Sequence, residues 1–287
     1  REVLQHTRQL KVIASALEKK IKNELVKLQK EDREKYETFW RAFGTQLKYG
    51  VVSDYGQHKD VLQDLLLFWS SKEGGNTTLA AYKDRMPEDQ PFCYYACGES
   101  VDKIAKLPQV ERILDKGYEI LYCTEDVDDF VMKGLGELDG KQFKSVTEED
   151  ALPQTEEEKK AAEEKAEAGK PVLEAVKEAL GDQVKEVRAS AILKSGACCL
   201  SADGPISIEM EKYMSKVEGS QEMKADRVLE LNPDSAPFAA LKRAVDAGDK
   251  DTVSKYAQLL YAQALLLAGL PLEDPAEYTA LVCSLMI

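Results

Sequence analysis

Histidine is scarce in this chain, and its cysteines are not spaced as metal ligands. The sequence has two histidines, His6 and His58, and six cysteines, none of which belongs to a Cys-x-x-Cys pair. Structural zinc sites need four closely spaced Cys and His ligands, so we expect no metal site. The cysteines have apolar or aromatic neighbours, which indicates buried thiols in a reducing compartment.

Basic residues are also in deficit. Lys and Arg total 39 against 52 Asp and Glu, and the formal net charge is −13. Non-specific binding to nucleic acid or to an anionic membrane needs a positive surface, so we expect neither partner. No apolar run approaches the roughly 18 residues of a membrane span, and no signal peptide is recognisable. Because the sequence opens on Arg1 inside a helical pattern, we expect it to be a piece of a longer protein.

Two catalytic signatures are missing as well. The glycines of residues 134–140 (GLGELDG) are not followed by the Lys-Ser/Thr pair of a phosphate-binding loop, and there is no Gly-x-Ser-x-Gly turn. A thiol-dependent or hydrolytic enzyme with Cys93 or Cys97 as nucleophile stays open. Neither histidine lies near them in sequence to act as its base.

What the sequence does contain is a change of hydrophobic period. Apolar residues at three- and four-residue steps predict helices, whereas short runs of β-branched, aromatic and apolar residues predict strands. In the first half, helices are predicted at residues 1–49, 59–69, 100–116 and 127–135, strands at 91–98, 118–123 and 141–146, and a loop at 73–76. The order strand, helix, strand predicts a right-handed unit with parallel strands.

The charged, alanine-rich residues 153–170 are predicted to be a linker or a solvated helix, and they mark a domain boundary. Beyond it, strands are predicted at 184–193, 197–201 and 227–231, and helices at 172–180, 206–217 and 237–247. The expected fold is therefore α/β to α+β. Residues 1–152 form a helical arm with a small three-layer α/β module, and residues 171–287 form an α+β domain that ends in a helical hairpin.

The terminal hairpin is apolar nearly all round its first helix. Its candidate interface residues are Tyr256, Leu260, Ala264 and Leu267 on the first helix and Tyr278, Leu281, Val282 and Leu285 on the second. Such a hairpin either completes the core of its own domain or pairs with a second copy in a four-helix bundle. The pattern alone leaves both open.

A second apolar stripe includes methionines. It consists of Ile206, Ile208, Met210 and Met214, four residues at helical spacing. Flexible thioether side chains suit a surface that accepts varied partners. Ordinary core packing is the alternative, and the period alone favours it.

A set of short segments, in fixed order along the whole chain, resembles one family. They are REVLQ at 1–5, YKDRMPEDQ at 82–90, PFCYYACGES at 91–100, EILYCT at 119–124, DVDDF at 126–130, GK at 140–141, LGDQV at 180–184, LELNP at 229–233 and LLYAQALL at 259–266. This set resembles the 90-kilodalton heat-shock protein family of molecular chaperones, and within it the bacterial HtpG type.

The resemblance implies a homodimeric, ATP-driven chaperone of the stress response, of which this chain is the distal middle domain and the C-terminal dimerisation domain. A bacterial, cytoplasmic protein that binds partly unfolded clients is expected. The nucleotide domain would lie outside the chain, so no ATPase and no cofactor are expected here, with ATP and Mg²⁺ belonging to the parent protein. A purely structural dimer scaffold remains a further possibility.

The resemblance also implies roles for particular residues. Arg1 and Gln5 match positions that reach the terminal phosphate of ATP in the parent, where a guanidinium suits phosphate geometry. Asp129 and Phe130 match a middle-domain position that faces the client cleft. The stripe that starts at Ile206 matches a helix that lines the same cleft from the other domain.

Overall fold

The computed structural model describes residues 8–53, 58–148, 150–217 and 224–286. The chain begins with two long helices, α1 (Arg8–Glu31) and α2 (Arg33–Val52). Asp32 separates them and caps α2, because its carboxylate accepts a hydrogen bond from the backbone amide of Lys35 at 3.2 Å. α2 buries Tyr36 and Trp40 against the first sheet, as its apolar period predicts.

Six strands form the first sheet, in the order β2-β1-β4-β3-β6-β5. They are β1 (Leu67–Ser70), β2 (Gly75–Thr78), β3 (Cys93–Cys97), β4 (Ile120–Cys123), β5 (Glu137–Leu138) and β6 (Lys141–Ser145). The intervening helices are α3 (Lys59–Leu62), α4 (Leu79–Arg85), α5 (Val101–Ile104), α6 (Pro108–Asp115) and α7 (Asp128–Leu135). β3 is parallel to both β4 and β6, so the carboxyl ends of these three strands meet at one edge. We call this part the first unit.

The prediction of a helix at 59–69 is wrong beyond Leu62. A 3₁₀ turn at Gln63–Leu65 leads directly into β1, where Leu67 and Phe68 are buried. The predicted loop at 73–76 is wrong at its end, because β2 starts at Gly75 and pairs antiparallel with β1. β1 also pairs with β4, which explains why it is apolar on both faces.

Pro108 breaks the helix that the sequence predicts at 100–116. The residue before it, Leu107, has φ −63° and ψ 131°, an extended conformation. Proline disfavours helical geometry at the preceding residue but suits the first position of a new helix. α5 therefore ends at Ile104 and α6 begins at Pro108 itself.

The charged segment after the first unit is helical. α8 (Glu156–Leu180) starts at a capping box, in which Thr155 and Glu158 satisfy each other's backbone amides. The same helix continues past Pro171 and buries Val172 and Val176 in the second core. The predicted boundary thus lies within one continuous helix.

The second unit contains a three-stranded sheet, in the order β7-β9-β8. Its strands are β7 (Glu186–Ala189), β8 (Cys198–Ala202) and β9 (Arg227–Leu231), and its further helices are α9 (Ile208–Lys216), α10 (Ala236–Asp246), α11 (Lys250–Leu267) and α12 (Pro275–Ser284). β9 is parallel to β7 and antiparallel to β8. Residues of α8, α10 and α11 complete the core of this unit. Among the described helices, none combines the length and apolar content that crossing a membrane would take.

Candidate functional site

The two units meet where α7 and the turn before it lie against α9. Three residue pairs run along this contact in opposite directions, so the helices are antiparallel. The pairs are Asp126 with Lys216 (Oδ1 to Nζ, 2.7 Å), Phe130 with Tyr213 (ring centroids, 5.1 Å) and Lys133 with Met210 (Nζ to Sδ, 3.5 Å). Two parts of the chain that the sequence separates by about eighty residues therefore form one surface.

The buried carboxylate of Asp129 stabilises this contact. Its carboxylate is 3% exposed and accepts hydrogen bonds from Tyr95 Oη at 2.9 Å and Ser207 Oγ at 2.7 Å. Lys133 Nζ lies 2.9 Å from the same carboxylate. Burial, and then the nearby Asp129 charge, raise the pKa of Tyr95, so its hydroxyl stays a donor. The predicted client contact of Asp129 stays a prediction, and in the structure its carboxylate is buried and contacts Tyr95, Ser207 and Lys133 instead.

Ser207 links the two units through one hydroxyl group. Its oxygen accepts a hydrogen bond from the backbone amide of Met210 at 3.1 Å, which makes it the N-cap of α9. The same hydroxyl donates to Asp129. The start of α9 is therefore fixed to the first unit.

The methionine stripe divides between core and surface. Ile208 is buried in the second core, which favours core packing over its predicted role in client contact. Ile206, Met210 and Met214 are half-buried, as is Phe130 on α7. These four side chains remain the candidate surface.

The opposite side of α9 is bound to its own unit. Glu211 is buried and accepts hydrogen bonds from the Ala225 amide at 2.9 Å and from an Arg227 amino group at 2.5 Å. Lys212 Nζ donates to the carbonyl oxygen of Ala268 at 3.0 Å. α9 is thus part of the second unit and also contacts α7 of the first.

A cavity of about 670 Å³ opens beside α9, at the carboxyl end of β3. Most of the cations that line it have partners within the chain. The pairs are Lys103 with Glu99, Lys212 with Glu209, and Arg188 with Glu230. Burial raises the pKa of Glu209. Because most of its cations are paired, the cavity resembles a solvated space between units more than a catalytic pocket.

The cysteines do not have the environment of nucleophiles. Burial raises the pKa of Cys93 to about 12. Hydrogen bonding to Cys123, together with burial, raises the pKa of Cys97 well above its ordinary value. An activated thiol needs a lowered pKa, so the geometry disfavours the thiol enzyme. Within the described ranges, no group of three or more His, Cys, Asp or Glu side chains is placed to hold a metal ion.

The terminal hairpin has an inner and an outer part. Leu260 and Ala264 of α11 are 4% and 0% exposed in the core of the second unit, which favours core packing over their predicted place in a dimer interface. Tyr256 is partly buried against the same core, whereas Leu267 is 43% exposed. No residue of α12, all of which the structure describes, is buried. Its candidate interface residues Tyr278, Leu281 and Val282, and the adjoining Leu285, are half-buried.

Arg1 and Gln5, the predicted phosphate contacts, lie outside the described residues. The remaining site residues come from both units. Because they lie far apart in the sequence, the sequence does not show that they are neighbours. The period of α7 and α9 marks the helices, but no local signal pairs one with the other. Tyr95 and Ser207 were missed because each gains its role only through Asp129.

The site is a contact between two helices that belong to different units. The chain belongs to the Hsp90 family, since the family model described as "Hsp90 protein" matches residues 1–287. It is 52% identical over 287 residues to "Chaperone protein HtpG" of Bacillus subtilis (strain 168), covering 100% of this chain and 46% of that relative. It is 50% identical over 286 residues to the protein of the same name from Clostridium botulinum (strain Langeland / NCTC 10281 / Type F), with the same coverage. The chain thus spans about half the length of the curated relatives it matches.

Proposed function

We propose that this chain is the part of a bacterial Hsp90-type chaperone that holds partly unfolded client protein and joins two copies of the parent. Residues 1–152 would be the distal middle domain and residues 171–287 the C-terminal dimerisation domain. Family membership supports the chaperone role. The protein would act in the cytoplasm, with no nucleic acid or membrane as partner.

The observation that carries the proposal is the uncovered outer side of the terminal hairpin. Leu267 is 43% exposed, and Leu281 and Val282 lie on a helix with no buried residue. Clustered apolar side chains in water favour association, and a second hairpin offers a matching surface around a two-fold axis. The two hairpins would form a four-helix bundle.

The client surface would consist of the half-buried side chains at the α7–α9 contact. Met210 and Met214 adapt to partners of different shape, and Phe130 supplies an aromatic anchor. Because the dimer would bring two such surfaces together, a client would be bound by both subunits at once.

The chain by itself would have no ATPase activity and no cofactor. In the parent, Arg1 and Gln5 would reach ATP that is held with Mg²⁺ in a separate domain. A phosphate-release assay on this chain is expected to show no turnover above buffer. Turnover that is lost in an Arg1→Ala variant would contradict this assignment.

The solution mass tests the dimer directly. Sedimentation should give twice the chain mass of 32.0 kDa, and a chain that ends at residue 273 should be a monomer. The truncation keeps α11 because Leu260 and Ala264 belong to the core. A full-length monomer at micromolar concentration would refute the proposal. A dimer that does not bind unfolded protein would favour the structural scaffold.

A further inference from the structure

The contact between α7 and α9 has the periodicity of a recognition surface. On α9 the residues that face the first unit are Ser207, Met210, Tyr213 and Lys216, one at every third position. Residues three apart are neighbours on a helix surface, so each of these side chains adjoins the next. Each meets one group on or beside α7, in the order carboxylate, ammonium group, aromatic ring and carboxylate.

This contact is weaker than the attachment of α9 to its own unit. The Asp126–Lys216 ion pair is 52% and 61% exposed, and exposed ion pairs contribute little. Asp129 would keep Tyr95 and Lys133 as partners if Ser207 moved away. In contrast, Glu211 is buried on the other side of α9. α9 can therefore leave α7 without leaving the second unit when that unit shifts at its other contact with the first, where Ser195 donates a hydrogen bond to Glu111.

Separation would uncover apolar surface on both helices at once. The Phe130 and Tyr213 rings cover each other edge to face, with 64° between their planes, and Met210 lies beside Lys133. The proposed function assigns Phe130 and Met210 to clients, and Tyr213 adds a second ring to the same surface. In the structure Phe130 contacts Tyr213 and Met210 contacts Lys133, so these side chains face each other and not a client.

We infer that α7 is a docking surface for amphipathic segments with a thioether, an aromatic ring and a cation at three-residue spacing, and that α9 occupies it as a built-in competitor. The inference rests on the proposed function and names the client class. A client segment binds by displacing α9, whose own sequence is the template for what fits. Any change that fixes α9 on α7 lowers client affinity, and any change that loosens it raises that affinity.

A covalent bridge provides the first test. Asp126→Cys and Lys216→Cys are combined in a Cys283→Ala background, because Cys283 is the exposed thiol of the described chain. The two new thiols are joined with a short bis-maleimide, and the matched control is the same protein blocked with N-ethylmaleimide. The probe is fluorescent α-lactalbumin, reduced and carboxamidomethylated so that it stays unfolded. The bridged protein should bind it about ten-fold more weakly than the blocked control. Equal affinity would overturn the inference.

Charge reversal provides the second test without a cross-link. Lys216→Asp should raise probe affinity about two- to five-fold, because it repels α9 from Asp126 and leaves α7 unchanged. Asp126→Lys should not raise the affinity, because it also removes the carboxylate that the cation of a client segment would meet. Unchanged affinity in Lys216→Asp would contradict competition between α9 and the client.

A peptide separates failure of this inference from failure of the proposed function. A labelled peptide of residues 206–217 should bind the Lys216→Asp protein, and the same peptide with Tyr213→Ala should bind several-fold more weakly. If neither the wild-type protein nor any variant binds the unfolded probe, the proposed function fails. Binding of the peptide alone then tests whether α7 is a docking surface. If the two peptides bind equally, α7 is not the surface described.

Discussion

Ser207 Oγ lies 2.7 Å from Asp129 Oδ2, and this one hydrogen bond joins the helix cap of the second unit to a buried carboxylate of the first. Ser207 also accepts the hydrogen bond of the Met210 amide. The hydroxyl is therefore at once a local helix signal and a long-range contact. Its removal affects the start of α9 and the position of α9 on α7 together.

Ser207→Ala should lower the free energy of unfolding by about 1–2 kcal/mol, because the helix loses its cap and Asp129 loses one buried donor. Urea unfolding measures this change. Ser215→Ala on the same helix is the matched control, since its hydroxyl is exposed and only donates to the Lys212 carbonyl. The control should change stability by less than about 0.5 kcal/mol. Equal losses in the two variants would show that the Asp129 contact contributes nothing.

The two helices of the terminal hairpin should respond differently to truncation of a leucine. Leu260→Ala creates a cavity in the core and should cost about 2–5 kcal/mol of unfolding free energy. Leu281→Ser removes apolar surface from α12 and should leave the unfolding of the single subunit nearly unchanged while it weakens the dimer. Chemical denaturation combined with sedimentation velocity separates the two effects. The assignment is reversed if Leu281→Ser unfolds the subunit and Leu260→Ala only dissociates it.

The amount of fold that the sequence predicts depends on where each segment finds its neighbours. Continuous apolar runs predict β3 and β4, since strands buried on both faces need them. β1 escaped detection because its apolar run follows α3 without a turn signal, and Gly75 of β2 is typical of a loop. The hairpin of β1 and β2 depends on pairing with β4, which no local pattern reports.

The candidate site was predicted in part for the same reason. The periods of α9 and α11 indicate which faces are apolar but not what covers them. Leu260 faces its own core, whereas Leu267 on the same helix is exposed. Asp129 carries a charge and therefore looks like a surface residue in sequence, yet Tyr95 and Ser207 provide the partners that allow its burial. Both partners are far away in sequence.

Alkylation should distinguish the thiols by their environment. Iodoacetamide near neutral pH should modify the exposed Cys283 first, because burial raises the pKa of Cys93 to about 12 and keeps its thiol protonated. Peptide mass spectrometry after timed quenching follows each site. In urea all six cysteines should react at similar rates. Early modification of Cys93 or Cys97 in the folded protein would restore the thiol enzyme as a candidate.

Met214, a half-buried residue of α9, provides a single-residue test of client binding. Met214→Ser should weaken binding of unfolded α-lactalbumin several-fold and leave the melting temperature nearly unchanged, since the side chain is only half-buried. Ile208→Ser is the matched control on the same helix. Its side chain is 8% exposed in the core, so a polar replacement should lower the melting temperature clearly. Fluorescence anisotropy and thermal unfolding monitored by circular dichroism measure the two quantities. If Met214→Ser destabilises the protein as much as Ile208→Ser does, the stripe is core along its whole length, and the client surface must be sought elsewhere.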